Sequence, residues 1–212
     1  MTVERSTIPA AEALARLKAG NSRYLQNVRS VDSMLSHSKR DISAPQLPFA
    51  VVVGCSDSRA PAEIVFDQGL GDLFVIRVAG NIVAPSQIGS VEFAAERFGT
   101  QLVVVMGHTM CGAIAATIEA ITGAEGRASR NLMSIVNRVR PAVEGLMATD
   151  LVRDGERLHR EAMRANVRAS VNQLRHGSEV LERLAHEGGL AVVGSELDLS
   201  TGEVRFFDDL PG

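Results

Sequence analysis

Phe49-Ala-Val-Val-Val-Gly-Cys55-Ser-Asp57-Ser-Arg59 sets a continuous valine-rich run directly against a polar turn carrying a cysteine, a carboxylate and a guanidinium. A run that is apolar at every position, not at alternate ones, reads as a strand buried on both faces, as in a parallel sheet. Two further runs of this kind follow, Leu73-Phe-Val-Ile-Arg-Val78 and Leu102-Val-Val-Val-Met106. Helical patterns lie between and after them, over Ser86–Phe98 and Gly112–Ile121. A late strand, Leu190–Val193, leads into Leu197–Val204, where Thr201-Gly202 marks a turn before Arg205-Phe-Phe207. Strands alternating with helices predict an α/β fold with a mainly parallel central sheet flanked by helices.

Before this core, Leu14, Leu17, Tyr24, Leu25 and Val28 fall on one stripe of an amphipathic helix within Thr7–Val28. Thr7 would cap it, with Pro9 tolerated in the first turn. With the polar stretch 29–47, which ends in Pro45 and Pro48, this makes an N-terminal helical arm. After the core, Ser129–His186 is helical. Its first stripe is Leu132, Ile135, Val136, Val139, Val143 and Met147, broken or kinked by Pro141, and its second is Met163, Val167, Val171 and Leu174. The arginines there alternate with Glu144, Asp154, Glu156, Glu161 and Glu179, the pattern of a solvated face. A single domain over 1–212 is expected, divided into arm (1–47), α/β core (48–125), helical segment (126–187) and C-terminal strands (188–212).

Composition narrows the function. A net charge of -3, from 22 basic and 25 acidic residues, supplies no basic footprint for nucleic acid or an anionic membrane. No apolar run approaches the roughly 20 residues of a membrane span, and the N-terminus lacks the charged-then-apolar pattern of a secretory signal. A cytoplasmic protein is the expectation. Two cysteines exclude a disulfide framework, and their wide separation amid small polar residues raises the question of a metal.

Ligands in open α/β folds bind beyond the carboxyl ends of strands. Cys55 stands there, and Asp57 and Arg59 are near enough for a carboxylate–guanidinium pair. Alone, Cys-x-Asp-x-Arg is a weak signal, equally compatible with a buried cysteine and a structural ion pair. The second such position is His108-Thr-Met-Cys111, between the third strand and the helix opening at Gly112. A helix N-terminus favours the thiolate, the form that binds metal. Together the motifs supply Cys55, His108 and Cys111, a set that suits zinc and leaves a fourth position open. Gly80, Gly107 and Gly112 would let backbone approach the metal loop. His37, His159, His176 and His186 read as surface residues, any one of which could relay protons.

These motifs resemble the β-class carbonic anhydrases. The matches are Cys-Ser-Asp-Ser-Arg at 55–59, Arg77-Val-Ala-Gly-Asn81, Ser90-Val-Glu-Phe-Ala94 and His-Thr-Met-Cys-Gly at 108–112. The helix Ala13–Tyr24 and the turn Asp198–Val204 are also similar, so the likeness covers nearly the whole chain. It implies an enzyme interconverting carbon dioxide and bicarbonate, with one Zn2+ per subunit supplying the attacking hydroxide. It further implies a homodimer or homotetramer with the helical arm packed on the partner. Carried over by position, Cys55, His108 and Cys111 bind zinc, and Asp57 and Arg59 form the catalytic dyad. Asp57 would become the fourth zinc ligand in a closed state. Gln68, Phe74, Ala79, Phe93 and Gly112 would line the substrate pocket. Two departures touch that pocket: Ala79 stands for a larger residue, and Phe93 for an aromatic that is often tyrosine.

The same site could instead serve hydrolysis of carbon disulfide or carbonyl sulfide, or be a non-catalytic zinc-binding module with Asp57 as permanent fourth ligand. A thiol redox role lacks its Cys-x-x-Cys, and nucleotide binding lacks both Gly-x-Gly-x-x-Gly and the phosphate-loop pattern.

Overall fold

The computed structural model describes residues 6, 8–30, 45–123 and 129–207. Thr7 and His37 lie outside them. Five strands form one sheet in the order β2-β1-β3-β4-β5: β1 Ala50–Gly54, β2 Leu73–Arg77, β3 Leu102–His108, β4 Ala191–Leu197 and β5 Val204–Phe206. The first four are parallel and β5 closes the edge antiparallel to β4. Every residue of β1, β3 and β4 is buried, as their continuous apolar runs predict. The helices are α1 Ala10–Leu25, α2 Ala62–Val65, α3 Pro85–Phe98, α4 Gly112–Thr122, α5 Arg130–Val143, α6 Gly155–His176 and α7 Glu179–Glu187.

The strand alternation divides the core in two. Val51, Val53, Val103, Val105 and Val192 meet α3 to α7 through Val91, Phe98, Ile114, Val139, Met163, Val167 and Leu181. Val52, Val104, Met106 and Val193 point the other way, onto Ala13, Leu14 and Leu17 of α1 and Ala62 and Val65 of α2. Leu25 and Val28 at the end of the arm's apolar stripe are exposed, while its first half, Leu14 and Leu17, lies on the chain's own sheet. Asn21 fastens it there, donating to the carbonyls of Val65 (3.1 Å) and Gly202 (2.9 Å) and accepting from the Val204 N–H at 2.9 Å. The helix is shorter than the stripe suggests: it ends at Leu25, Asn27 turns to φ 55°, and Val28 is exposed.

Pro141 falls in the last turn of α5, where it offers no N–H to the carbonyl of Asn137. The helix runs on to Val143 before two short 3-10 turns, 144–148 and 150–153. β3 and β4 run further than the apolar signal, because Gly107, His108, Ser195 and Glu196 continue the ladder as small or polar residues. Glu196 is buried on β4 and accepts from Arg160 and Arg164 of α6, each at 2.7 Å, which clamps helix to strand.

Gly107 lets α6 approach β3. A Cβ there would lie 2.6 Å from both Met163 Sδ and Val167 Cγ2, inside contact distance. Gly107→Ala is expected to cost about 1–3 kcal/mol by overpacking, seen as a lower urea midpoint at unchanged slope. Gly155→Ala, whose added methyl meets open space, should shift stability by no more than ~0.5 kcal/mol.

Candidate metal centre

β1 and β3 are neighbours in the sheet, so their carboxyl ends deliver Cys55 and His108 side by side. His108 is the last residue of β3. The chain then reverses through Thr109 and Met110, with Met110 at φ 56°, and Cys111 becomes the N-cap of α4. The ligand atoms of Cys55, His108 and Cys111 all lie within 4.8 Å of one another, and all three residues are buried. This is the group of three or more potential ligands found among the described residues.

Histidine geometry fixes the proton. His108 Nδ1 is 2.8 Å from the Thr109 carbonyl, which only accepts, so Nδ1 carries the hydrogen. Nε2 is then a lone pair, buried and without a hydrogen-bond partner. An orphaned imidazole nitrogen facing two sulfurs fits a thiophilic cation such as Zn2+.

The thiols agree. The hydrogen bond from Cys111 pulls the Cys55 pKa down from 9.0 to about 4 against the opposing effect of burial, helped by His108 and by backbone N–H groups including that of Gly80. The Gly80 N–H stands 3.4 Å from the Cys55 sulfur. Cys111 is pushed up, by that same contact with Cys55 and by burial, although the N–H groups of Ile114 and Ala113 oppose it. Burial works against a charged imidazole at His108, but the Cys55 sulfur, the Thr109 carbonyl and Asp57 outweigh it and hold its pKa above 6.5. Without metal, the second sulfur therefore keeps a proton that a cation must displace.

Asp57 stands at the rim. Arg59 grips it three times: Nε to Oδ1 at 3.0 Å, Nη2 to Oδ2 at 2.8 Å and backbone N–H to Oδ1 at 2.9 Å. This grip holds the carboxyl well below the usual carboxylate range. Its Oδ2 remains 3.9 Å from His108 Nε2.

Several supporting residues carried no individual sign in the sequence. Arg77 binds the carbonyls of Cys55 (3.0 Å) and Asp57, fixing the 55–57 loop. Its motif was visible but its role was not. Asn166 and Ser170 of α6 donate to the carbonyls of Gly80 and Asn81, at 2.8 and 3.3 Å. His159 donates from Nε2 to the Cys111 carbonyl at 3.0 Å. These partners lie too far along the chain for any local pattern to pair them.

Of the three glycines expected to admit backbone, Gly80 does so, at φ 69° with its Cβ position 2.9 Å from Ala113 Cβ. Gly107 instead makes room for the side chains of Met163 and Val167 of α6, and at Gly112 nothing lies within 4 Å of the Cβ position. Ala79 opens the turn that carries Gly80, and Gly112 follows Cys111 at the start of α4. Phe74 and Phe93 pack together with ring centroids 6.2 Å apart, Phe93 exposed. Gln68 is held elsewhere: its amide donates to the Phe66 carbonyl at 2.6 Å and sits beside Gly20 of α1. His176 and His186 are exposed.

A family model described as carbonic anhydrase matches residues 50–204. Carbonic anhydrase 2 of Mycobacterium tuberculosis is 35% identical over 206 residues, covering 97% of this chain and 96% of that protein. A carbonic anhydrase of Mycolicibacterium smegmatis is 36% identical over 195 residues, 89% of each. Among solved structures, a β-carbonic anhydrase of Aspergillus fumigatus superposes with a TM-score of 0.72 at 25% identity, over 93% of this chain and 90% of that one. A β-carbonic anhydrase of Sordaria macrospora, described as tetrameric, gives 0.73 at 23% identity over 84% and 92%.

The protonation of Cys111 sets a linkage. Contact with Cys55 and burial raise the Cys111 pKa, so this thiol holds its proton through neutral pH and metal binding releases it. Zinc affinity, measured by competition with a chromophoric chelator, should rise about tenfold per pH unit for each proton released between pH 6.5 and 8.5. Cys111→Ser should weaken it by more than the roughly 10–100-fold expected of an outer-shell loss.

Proposed function

We infer the chemistry of this centre from one premise: the chain belongs to the β-carbonic anhydrase family. Its reaction is the reversible, metal-dependent hydration of carbon dioxide to bicarbonate and a proton. The ion we propose is Zn2+, one per chain, on Cys55 Sγ, His108 Nε2 and Cys111 Sγ. The observation that carries this assignment is the unpartnered, buried Nε2 of His108, facing two sulfurs within 4.8 Å. Zinc bound there acidifies water and so supplies the nucleophile near neutral pH.

The chain's own residues do the rest. Asp57, kept ionised by Arg59, offers an acceptor at the mouth of the centre. A water entering there donates to that carboxylate, which turns its lone pair toward the incoming carbon. Arg59 has a second task, holding Asp57 back from the ligands. The triple grip of Arg59 supports an open site, and closure with Asp57 as fourth ligand would have to break it. The side chain of Ala79, the exposed backbone of Gly112 and the rings of Phe74 and Phe93 are assigned to the apolar lining that receives carbon dioxide. Gln68 joins them only if it leaves the Phe66 carbonyl.

A homodimer or homotetramer is part of the proposal, supported by the tetrameric description of the Sordaria protein and by Phe93 standing exposed beside β2, the outer strand of the sheet. Among the described residues no helix is long and apolar enough to cross a membrane. A cytoplasmic location is supported by the use of both cysteines, unbridged, in one metal set that needs them reduced.

Stopped-flow hydration of carbon dioxide at pH 7.5 and 8.5, on protein of known zinc content, tests the reading. Fast turnover at both values is expected. Zinc-loaded protein inert at both, yet cleaving carbon disulfide or carbonyl sulfide, would overturn it. Asp57→Asn, which keeps the shape but loses the charge, should lower kcat about 100-fold through misorientation of the attacking water while leaving the zinc content at one per chain.

A further inference from the structure

We propose that His159 is a positioning residue for Cys111, holding the ligand turn through its carbonyl, an inference that rests on the zinc-site reading above. The turn from His108 to Cys111 is strained. Met110 sits at φ 56°, a left-handed conformation that costs a residue with a Cβ about 1–2 kcal/mol. Such a turn relaxes unless both halves are held.

The first half is tied to β4 and the residues after it. The Thr109 N–H donates to the Leu197 carbonyl at 3.0 Å, and Thr109 Oγ1 accepts from the Leu199 N–H at 2.9 Å. Beyond Met110 the arrangement changes. The Cys111 carbonyl accepts the first bond of α4 from Ala115 N–H at 3.1 Å, and its other lone pair takes His159 Nε2–H at 3.0 Å. That second bond comes from α6, 48 residues away. Cys111 itself is buried in the core, but a cavity of about 260 Å³ lies against the turn before it, lined by Thr109 and Met110 and by His159 itself, so packing holds that side less closely.

His159 is itself well placed. It is half-buried in the second turn of α6, and the next residue, Arg160, fixes the register of that helix by bonds to Glu196 at 2.7 Å and Asp198 at 2.6 Å. A carbonyl acceptor requires the hydrogen on Nε2, so this nitrogen donates and does not itself ligate the metal. The hydrogen bond closes the far side of the ligand turn, which sets where the Cys111 sulfur stands.

The test compares the parent with His159→Leu, which fills space without a donor, and His159→Gln, whose amide can still donate. Zinc affinity by chelator competition, the thiolate-to-cobalt charge-transfer band of the cobalt-substituted protein and the Tm are read for each. His159→Leu should bind zinc roughly 10–100-fold more weakly, with a displaced cobalt band, while His159→Gln stays within about threefold of the parent. Unchanged affinity and spectrum in His159→Leu, or an equal loss in His159→Gln, would overturn the role. If His159→Leu does not fold, His159→Asn takes its place: polar, but too short to reach the carbonyl. Equal behaviour of Asn and Gln would then be the overturning result. A parent that takes up no zinc would remove the zinc-site reading itself. A parent that binds zinc and hydrates carbon dioxide, beside an unaltered His159→Leu, would remove only the positioning role.

Discussion

Two thiols and an imidazole lone pair share one small buried volume, and protons alone satisfy them poorly. Cys55 gives up its proton while Cys111 is forced to keep one, and His108 Nε2 is left with no donor at all. A buried polar atom without a partner costs roughly 1–3 kcal/mol, and crowding several together raises the stakes. A divalent cation resolves all three at once. The fold has to hold this unfavourable arrangement in place before the ion arrives, and much of its local detail follows from that need.

The parallel sheet supplies the rigid part. Adjacent β1 and β3 are fully buried, so Cys55 and His108 leave strands that cannot shift without disturbing both core layers. Loops supply what the strands cannot. Arg77 ties down the carbonyls around Cys55, and the left-handed Gly80 turn, held from α6 by Asn166, aims an N–H at its sulfur. α6 is thus more than a cover for the sheet. Its buried face packs on Gly107, its polar side chains reach the Gly80 turn and the Cys111 carbonyl, and Arg160 and Arg164 lock it to Glu196. Helix, strand and metal loop are coupled through one element.

Much of this was legible in the sequence, for reasons that can be stated. A valine run buried on both faces has one natural home, and a cysteine or histidine at its carboxyl end has one natural position. Periodicity also found the buried stripes of α5 and α6 at Val136, Val139, Met163 and Val167. Sequence patterns failed where the decisive contact is long-range or lacks a side-chain signature. Nothing local pairs His159 with residue 111, or turns Gln68 toward Phe66. α2 is a single turn, too short for any period to emerge. An amphipathic stripe says that a face is covered, not by what. Ala13, Leu14 and Leu17 find their cover on the strands of the same chain.

The remaining tension lies between Asp57 and the ion. A carboxylate this close to a divalent cation is a ready fourth ligand, and a four-ligand site would leave no place for water. Opposing this, on the proposed reading, is a planar guanidinium two residues away, forked onto both carboxylate oxygens, with a backbone N–H added. The pair is near the surface, where an isolated ion pair contributes little to stability. Its importance is therefore not in holding the fold together. In the proposed mechanism Arg59 decides which of two competing cations the carboxylate serves, and an open metal centre would follow from that choice.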